Sequence, residues 1–153
     1  MDFGSEEVNE LLQQAGWTPD YSVDTSEYKR CLEEAGFTVF PTVLDFLKRF
    51  GGIRVSGIDP STETQYEWFT VDPIRAHDMK PLRFYSKLTT LLGQSVCPVG
   101  TAAAAHMVLV MDTEGKFYTI YERGVYYMGN TVPEAFQNLC KESRYYKLIL
   151  TVY

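Results

Sequence analysis

The chain has 153 residues, of which 45% are hydrophobic, and a formal net charge of −6 at pH 7. This length and apolar content fit one globular domain over residues 1–153 and exclude wholesale disorder. The sequence contains no secretory signal and no apolar run near the ~18 residues of a membrane span, so we expect a cytoplasmic protein without membrane contact.

Two amphipathic helices of similar design are predicted at the start of the chain. Ser5 can cap the first helix, and Gly16 and Gly36 end the two helices. Residues 1–36 contain nine acidic and two basic residues, against eleven and twelve in the remaining 117 residues. Such a negative field repels nucleic acid and attracts a basic protein partner. A charged face that only keeps the protein soluble remains the alternative.

The acidic end of the chain supplies the candidate partner-binding residues. Trp17 and Tyr21, in the turn between the two helices, would be the apolar anchors of this surface. The open side of the sheet and the loop at residues 57–64 remain alternative binding sites. The proposed partner-binding residues are Glu6, Glu7, Glu10, Trp17, Asp20, Tyr21, Asp24 and Glu27.

Residues 42–55 are predicted to form a helix that passes through two glycines into a strand. Thr42 can cap this helix, and its apolar residues recur at i, i+3, i+4 and i+7. At least one of the two glycines should have a positive φ, because the chain must leave a helix and enter a strand within two residues. The predicted structural residues are Phe46, Leu47, Phe50, Gly51 and Gly52.

The rest of the chain predicts alternating strands with two further helices. A helix from residue 81 to 92 should bury Leu88, Leu91 and Leu92, and Thr131 can cap the last helix. The pattern as a whole predicts an α+β fold with about five helices on a mainly antiparallel sheet of about six strands. Residues 96–100 are predicted to form a short extended piece. The predicted strands after residue 55 cover residues 66–71, 106–111, 117–121, 125–128 and 145–153.

No catalytic motif is present. The sequence lacks a Gly-rich phosphate loop, a serine-hydrolase elbow, a zinc-protease motif and a CxxC pair. A Cys97–His106 nucleophile pair would lack a third, orienting group. Asp112 to Gly115 is typical of a hairpin turn and not of a calcium loop. We therefore expect no enzyme activity, no cofactor and no metal.

Several short motifs, taken in order, resemble the third SUKH immunity family. FLKRFGGI at residues 46–53 is the most specific of them. The others are AGW (15–17), the strand ending in Asp72-Pro73, CPVG (97–100), VLVMDTEGKFY (108–118) and GNTVPEAFQNL (129–139). The resemblance covers about residues 9–140 and implies helices packed on a mainly antiparallel sheet.

The resemblance also implies a function, namely an antitoxin that binds and neutralises a polymorphic bacterial toxin. Its partner would be a toxin domain, possibly a nuclease, and not nucleic acid; the oligomeric state is left open. A regulatory scaffold that binds a host protein is the alternative. The family pattern usually places a proline and then a basic residue after AGW, whereas this chain has Thr18-Pro19-Asp20. The family assigns no catalytic residue.

Overall fold

A computed structural model describes residues 2–153. This part of the chain forms six α-helices and seven strands. The helices are α1 (Glu6–Gln14), α2 (Ser26–Glu34), α3 (Pro41–Phe50), α4 (Pro73–Ala76), α5 (Leu82–Leu92) and α6 (Val132–Leu139), with a 3₁₀ turn at Ser143–Tyr145. The strands are β1 (Arg54–Ile58), β2 (Gln65–Thr70), β3 (Val96–Ala102), β4 (Met107–Asp112), β5 (Phe117–Tyr121), β6 (Gly124–Gly129) and β7 (Lys147–Thr151).

The seven strands form one sheet in chain order, β1 to β7, and each strand is antiparallel to its neighbours. The predicted α+β class is therefore confirmed, with one strand more than expected. The additional strand is β3, which the sequence predicts only as a short extended piece at residues 96–100. The predicted strand at 145–153 forms β7, which pairs with β6.

The central strands are buried on both faces. Every residue of β3 and of β4 is buried, and successive side chains of a strand point to opposite faces, so packing elements cover both sides of the sheet. On one face, Phe46 of α3 meets Phe117 of β5 edge to face, with ring centroids 5.1 Å apart. The rings of Phe69 of β2 and Phe136 of α6 are tilted by 31° with centroids 4.6 Å apart, and the two pairs fix α3 and α6 on the sheet.

The predicted helix–glycine–strand segment forms, but its helix starts differently from the prediction. Pro41 occupies the first helical position after the extended Phe40, and no side chain caps the helix. The expected Thr42 cap is wrong, because a proline at the first position already removes one unsatisfied N–H. Phe46, Leu47 and Phe50 are buried.

The two glycines after α3 serve different needs. Gly52 has a φ of +84°, which the predicted helix-to-strand turn requires. Gly51 has a φ of −55°, and a Cβ there would lie 2.5 Å from the Leu47 carbonyl oxygen. Position 51 therefore requires glycine because a side chain would not fit there, and position 52 requires glycine because of its positive φ.

Helix α5 buries fewer of its leucines than its sequence predicts. Leu88 is buried and Leu92 is partly buried, whereas Leu91 is 55% exposed, so its assignment to the core is wrong. Tyr85 takes the neighbouring inward position and packs edge to face on Phe37, at 5.0 Å between ring centroids. The inward side of α5 therefore consists of the buried Tyr85 and Leu88 and the partly buried Leu92, whereas Leu91 lies on the exposed side.

Candidate partner-binding surface

The acidic side chains of α1 point away from the core. Ser5 caps the helix, its hydroxyl accepting from the Val8 N–H at 3.4 Å. Val8 and Leu12 are buried, so Glu6, Glu7 and Glu10 lie on the opposite, exposed side. Carboxylates in the first turn also favour the helix because they oppose its dipole. This part of the predicted surface is exposed and free of ion pairs among residues 2–153.

The two expected aromatic anchors lie in or against the core. Trp17 is 6% exposed, stacks on Phe50 with ring centroids 5.5 Å apart, and donates its indole N–H to the Arg49 carbonyl at 2.9 Å. Tyr21 is half-buried, and its hydroxyl donates to the Gly51 carbonyl at 2.5 Å. Both side chains hold the turn against the end of α3. Trp17 is therefore removed from the candidate surface, since the helix stop folds it back onto the last turn of α1.

The remaining predicted residues lie on a separate element. Asp20, Asp24 and Glu27 are exposed, but α2 packs on α4 whereas α1 packs on β1. Arg30 pairs with Glu27 at 2.7 Å and with Glu34 at 3.0 Å, which lowers the pKa of Glu27 through the hydrogen bond and the charge. These pairs partly neutralise α2, so the unpaired negative charge is concentrated on α1.

A groove beside α1 contains exposed apolar side chains that the sequence analysis missed. We call it the Ile58–Tyr145 groove; it has a volume of about 350 Å³ and is lined by Glu7, Leu11, Gly57, Ile58, Pro60, Trp68, Cys140, Lys141, Glu142 and Tyr145. Ile58 is 60% exposed and Tyr145 is 65% exposed. Glu7 of α1 lies on the same groove, so an acidic rim and apolar anchors are adjacent. Residues 58 and 60 belong to the loop that the sequence left as an alternative binding site.

A second, tyrosine-rich cleft lies next to this groove. Its volume is about 410 Å³, and Tyr66, Tyr121, Tyr126 and Arg144 are among its lining residues. Arg144 stacks over the ring of Tyr145, 4.8 Å from its centroid, and so joins the cleft to the groove. The cleft also borders residues 103–105, three consecutive alanines with φ between +51° and +65°. Non-glycine residues in this region are strained, and such strain is most common near binding sites.

Comparison with protein families gives one match. The SUKH-3 immunity protein family matches residues 4–142. The chain belongs to the SUKH-3 immunity protein family. No curated protein and no solved structure matches it. The family match ends before the 3₁₀ turn, so Tyr145 and β7 of this SUKH-3 protein lie beyond the family pattern.

The structure keeps apart the one catalytic pair that the sequence had suggested. Cys97 is opposite Met111 in the β3–β4 register, and His106 precedes β4 by one residue. The two residues are therefore separated by about 17 Å along the strands, at 3.4 Å per residue. Cys97 is completely buried, and burial raises the pKa of its thiol to about 12. No thiolate forms there near neutral pH.

A different cysteine and histidine of the SUKH-3 chain do meet. The Cys31 Sγ lies 3.6 Å from the His77 Nδ1, but the same Nδ1 lies 2.7 Å from the Ile74 carbonyl oxygen. A carbonyl only accepts, so Nδ1 carries the proton and cannot take the proton of the thiol. Burial raises the pKa of Cys31 further above neutral pH. The pair supports the α2–α4 contact and has no activated nucleophile.

Metal-binding clusters and membrane-spanning helices are both absent from the residues that the structure describes. Among residues 2–153, no group of three or more His, Cys, Asp or Glu side chains is arranged to hold a metal ion. No helix within the same residues is long and apolar enough to span a membrane. The surface around α1 is thus the main candidate for function in this SUKH-3 protein.

Proposed function

We propose that this SUKH-3 protein is a cytoplasmic immunity protein that neutralises a toxin by stoichiometric binding. The binding surface consists of the exposed acids of α1 and the adjacent Ile58–Tyr145 groove. Membership of the immunity family supports the role, and one structural observation carries the choice of surface. That observation is the adjacency of unpaired carboxylates on α1 to a groove with two large exposed apolar side chains.

Charge and apolar area have separate tasks in such a complex. The carboxylates of α1 attract a basic partner and raise the association rate, an effect that salt weakens. Ile58 and Tyr145 bury apolar surface once the partner fills the groove, and a few such anchors carry most of the affinity. The surface needs no catalytic group, because occupying the toxin is sufficient to inhibit it.

The charge of this surface indicates the class of toxin. A nuclease holds phosphates with Lys and Arg side chains, so its substrate-binding surface is basic. Glu6, Glu7 and Glu10 present three negative charges that can occupy such a surface in place of phosphates. We therefore propose a nuclease toxin whose active-site face is covered by α1.

Charge reversal on α1 tests this proposal. The Glu6→Lys, Glu7→Lys, Glu10→Lys variant leaves Val8 and Leu12 unchanged and should fold normally. We expect it to associate about tenfold more slowly or worse with the toxin domain encoded beside its gene, measured by stopped-flow at low salt. The matched control reverses Glu33, Asp45 and Asp78, three exposed acids outside α1 that form no ion pair among residues 2–153, and gives the same net charge. Equal rates for both variants would show that only the overall charge of the protein matters.

Truncation of the anchors tests the groove itself. Ile58→Ala and Tyr145→Ala should each raise the dissociation constant about 30-fold, which corresponds to ~2 kcal/mol for a binding hot spot. Leu91→Ala is the control, because Leu91 is similarly exposed but lies on α5. If both groove variants bind the toxin with unchanged affinity and still protect cells, the interface lies elsewhere.

A further inference from the structure

A pocket between α5 and the end of β7 concentrates positive charge in this acidic protein. Its volume is about 700 Å³. Four of the fourteen Lys and Arg residues of the chain line it, together with one acidic side chain. The charged lining residues are Lys80, Arg83, Lys87, Arg123 and Glu122, and Phe84 contributes an aromatic ring.

None of the four cations forms an ion pair with an acidic side chain of the described chain, residues 2–153. The Lys80 ammonium donates to the Glu122 carbonyl oxygen, and the Lys87 ammonium donates to the Tyr153 main-chain oxygen at 3.0 Å. These two hydrogen bonds orient the lysines toward the end of the pocket formed by residues 122 and 153. Arg83 and Arg123 are exposed, and their guanidinium groups are available for a ligand.

Partial burial makes this arrangement costly for the protein alone. Desolvation lowers the pKa of Lys80, and the charge of Glu122 only partly opposes the change. The Lys80 ammonium also lies 5.3 Å from the centroid of the Phe84 ring. Arg83, Lys87 and Arg123 line the same pocket as Lys80, so an anion bound in the pocket is attracted by all four cations.

Charge and size together select the ligand. The four cationic side chains and the one acidic side chain give a formal side-chain charge of +3 in the pocket. We propose that this pocket binds a small molecule with two or more linked phosphate groups, such as a nucleoside diphosphate or triphosphate. Linked phosphates carry about three negative charges within a few ångströms, and arginine forks bind phosphate through two parallel hydrogen bonds.

The pocket volume and its aromatic lining are consistent with a nucleotide. A volume of about 700 Å³ is typical of small-molecule sites, which range over roughly 300–1,000 Å³. The ring of Tyr153 at the rim is 82% exposed and offers a face for a base. An acidic protein segment would have to place three carboxylates side by side in this space, against their mutual repulsion.

This site is separate from the proposed toxin-binding surface. Helix α1 packs on β1, whereas the pocket lies against the end of β7, and these strands form opposite edges of the sheet. The inference therefore stands independently of the proposed function, and a failure of either leaves the other unchanged.

Titration calorimetry with defined phosphates tests the inference. Pyrophosphate, ADP and ATP should bind, AMP should bind more weakly, and adenosine should not bind. Tighter binding of ADP than of pyrophosphate would identify a nucleotide as the ligand, and equal binding would identify the linked phosphates alone; both support the site. The Arg83→Gln, Arg123→Gln variant should lose tenfold or more in affinity, since two charge-assisted contacts are removed.

The matched control is Arg54→Gln, Arg144→Gln, which changes the net charge equally but lies outside the pocket. It should bind pyrophosphate within about twofold of the parent. The inference is overturned if no phosphate binds at millimolar concentration, or if both double variants lose the same affinity. It is also overturned if a hexaglutamate peptide binds the parent whereas pyrophosphate does not.

Discussion

At the scale of single residues, aromatic side chains from distant parts of the chain meet in one cluster. Phe46 contributes at the centre: its ring lies 5.1 Å from Phe117, 5.3 Å from Phe50 and 6.2 Å from Phe136. Such pairs add stability beyond the apolar area that they bury. The cluster joins α3 and α6 to the sheet, so its loss would loosen several elements at once.

Truncating Phe46 measures this contribution. We expect Phe46→Ala to lower the free energy of unfolding by ~3–5 kcal/mol, because the cavity cannot fully collapse between α3 and the sheet. Urea denaturation followed by circular dichroism gives the value. Leu91→Ala is the control, with an expected change within about 0.5 kcal/mol at an exposed position. A Phe46→Ala protein as stable as the control would show that the cluster does not support the fold.

Two buried tyrosines differ in the hydrogen bonding of their hydroxyl groups. The Tyr85 hydroxyl has no hydrogen-bond partner among residues 2–153, whereas the Tyr118 hydroxyl donates to the Asp112 Oδ2 at 2.9 Å. Tyr85→Phe should therefore leave the free energy of unfolding unchanged or raise it by about 1 kcal/mol, since it removes an unsatisfied polar group. Tyr118→Phe should lower it by ~1–3 kcal/mol. Chemical denaturation of both variants measures these changes in the free energy of unfolding. A clear loss of stability in Tyr85→Phe would contradict the prediction.

At the scale of elements, the C-terminal ends of α1 and α2 close in the same way, whereas the end of α3 differs. The Trp17 N–H donates to the Leu12 carbonyl after α1, and the Phe37 N–H donates to the Leu32 carbonyl after α2. Gly16 and Gly36 make this closure possible, with φ values of +93° and +96°. Helix α3 instead ends at Gly51 and turns at Gly52, because its chain continues directly into β1.

Substitutions at the two α3 glycines separate conformation from space. Gly52→Ala should cost ~1–2 kcal/mol for a side chain at positive φ, and Gly52→Asn should cost less because asparagine tolerates that region. Gly51→Ala should cost more than Gly52→Ala, since its Cβ would meet both the Leu47 carbonyl and the Tyr28 ring, at 2.5 and 2.7 Å. Urea midpoints of the three variants test this order. The reverse order of the two alanine variants would contradict the assigned roles.

At the scale of the whole molecule, one connected set of buried residues links the helices to the sheet. Each of the six helices contributes at least one buried residue to it, from Val8 in α1 to Phe136 in α6. Removing any one element would expose part of a shared core. This sharing favours cooperative unfolding of the chain as one unit.

The two tryptophans report on distant parts of this unit. Trp17 lies in the aromatic cluster beside α3, and Trp68 lies in β2 with its ring 4.8 Å from Tyr66. We expect the Trp17→Phe and Trp68→Phe variants, each with a single remaining tryptophan, to show fluorescence transitions that coincide with circular dichroism on the same sample. Transitions that differ between the two probes of one variant would reveal separately folding parts and contradict the prediction of one domain.

The local sequence determined most of the elements and their ends. Periodicity and capping residues operate over four or five neighbouring positions, so the Ser5 and Thr131 caps and the stops at Gly16 and Gly36 could be predicted. The order of short motifs also indicated the family. The same local reasoning was wrong at Thr42, because Pro41 occupies the first helical position, and at Leu91, which lies on the exposed side of α5.

Only the tertiary structure decided which surfaces are available for binding. The local sequence around Trp17 fits a binding anchor and a core residue equally well. Its stacking contact with Phe50 shows that it is a core residue. The Ile58–Tyr145 groove and the basic pocket have no sequence signature, because each joins residues that are far apart in the chain. Residues 58 and 145 meet beside α1, and residues 80 and 153 meet beside α5. Such sites follow from how the helices cover the sheet, a global property that no window of neighbouring residues contains.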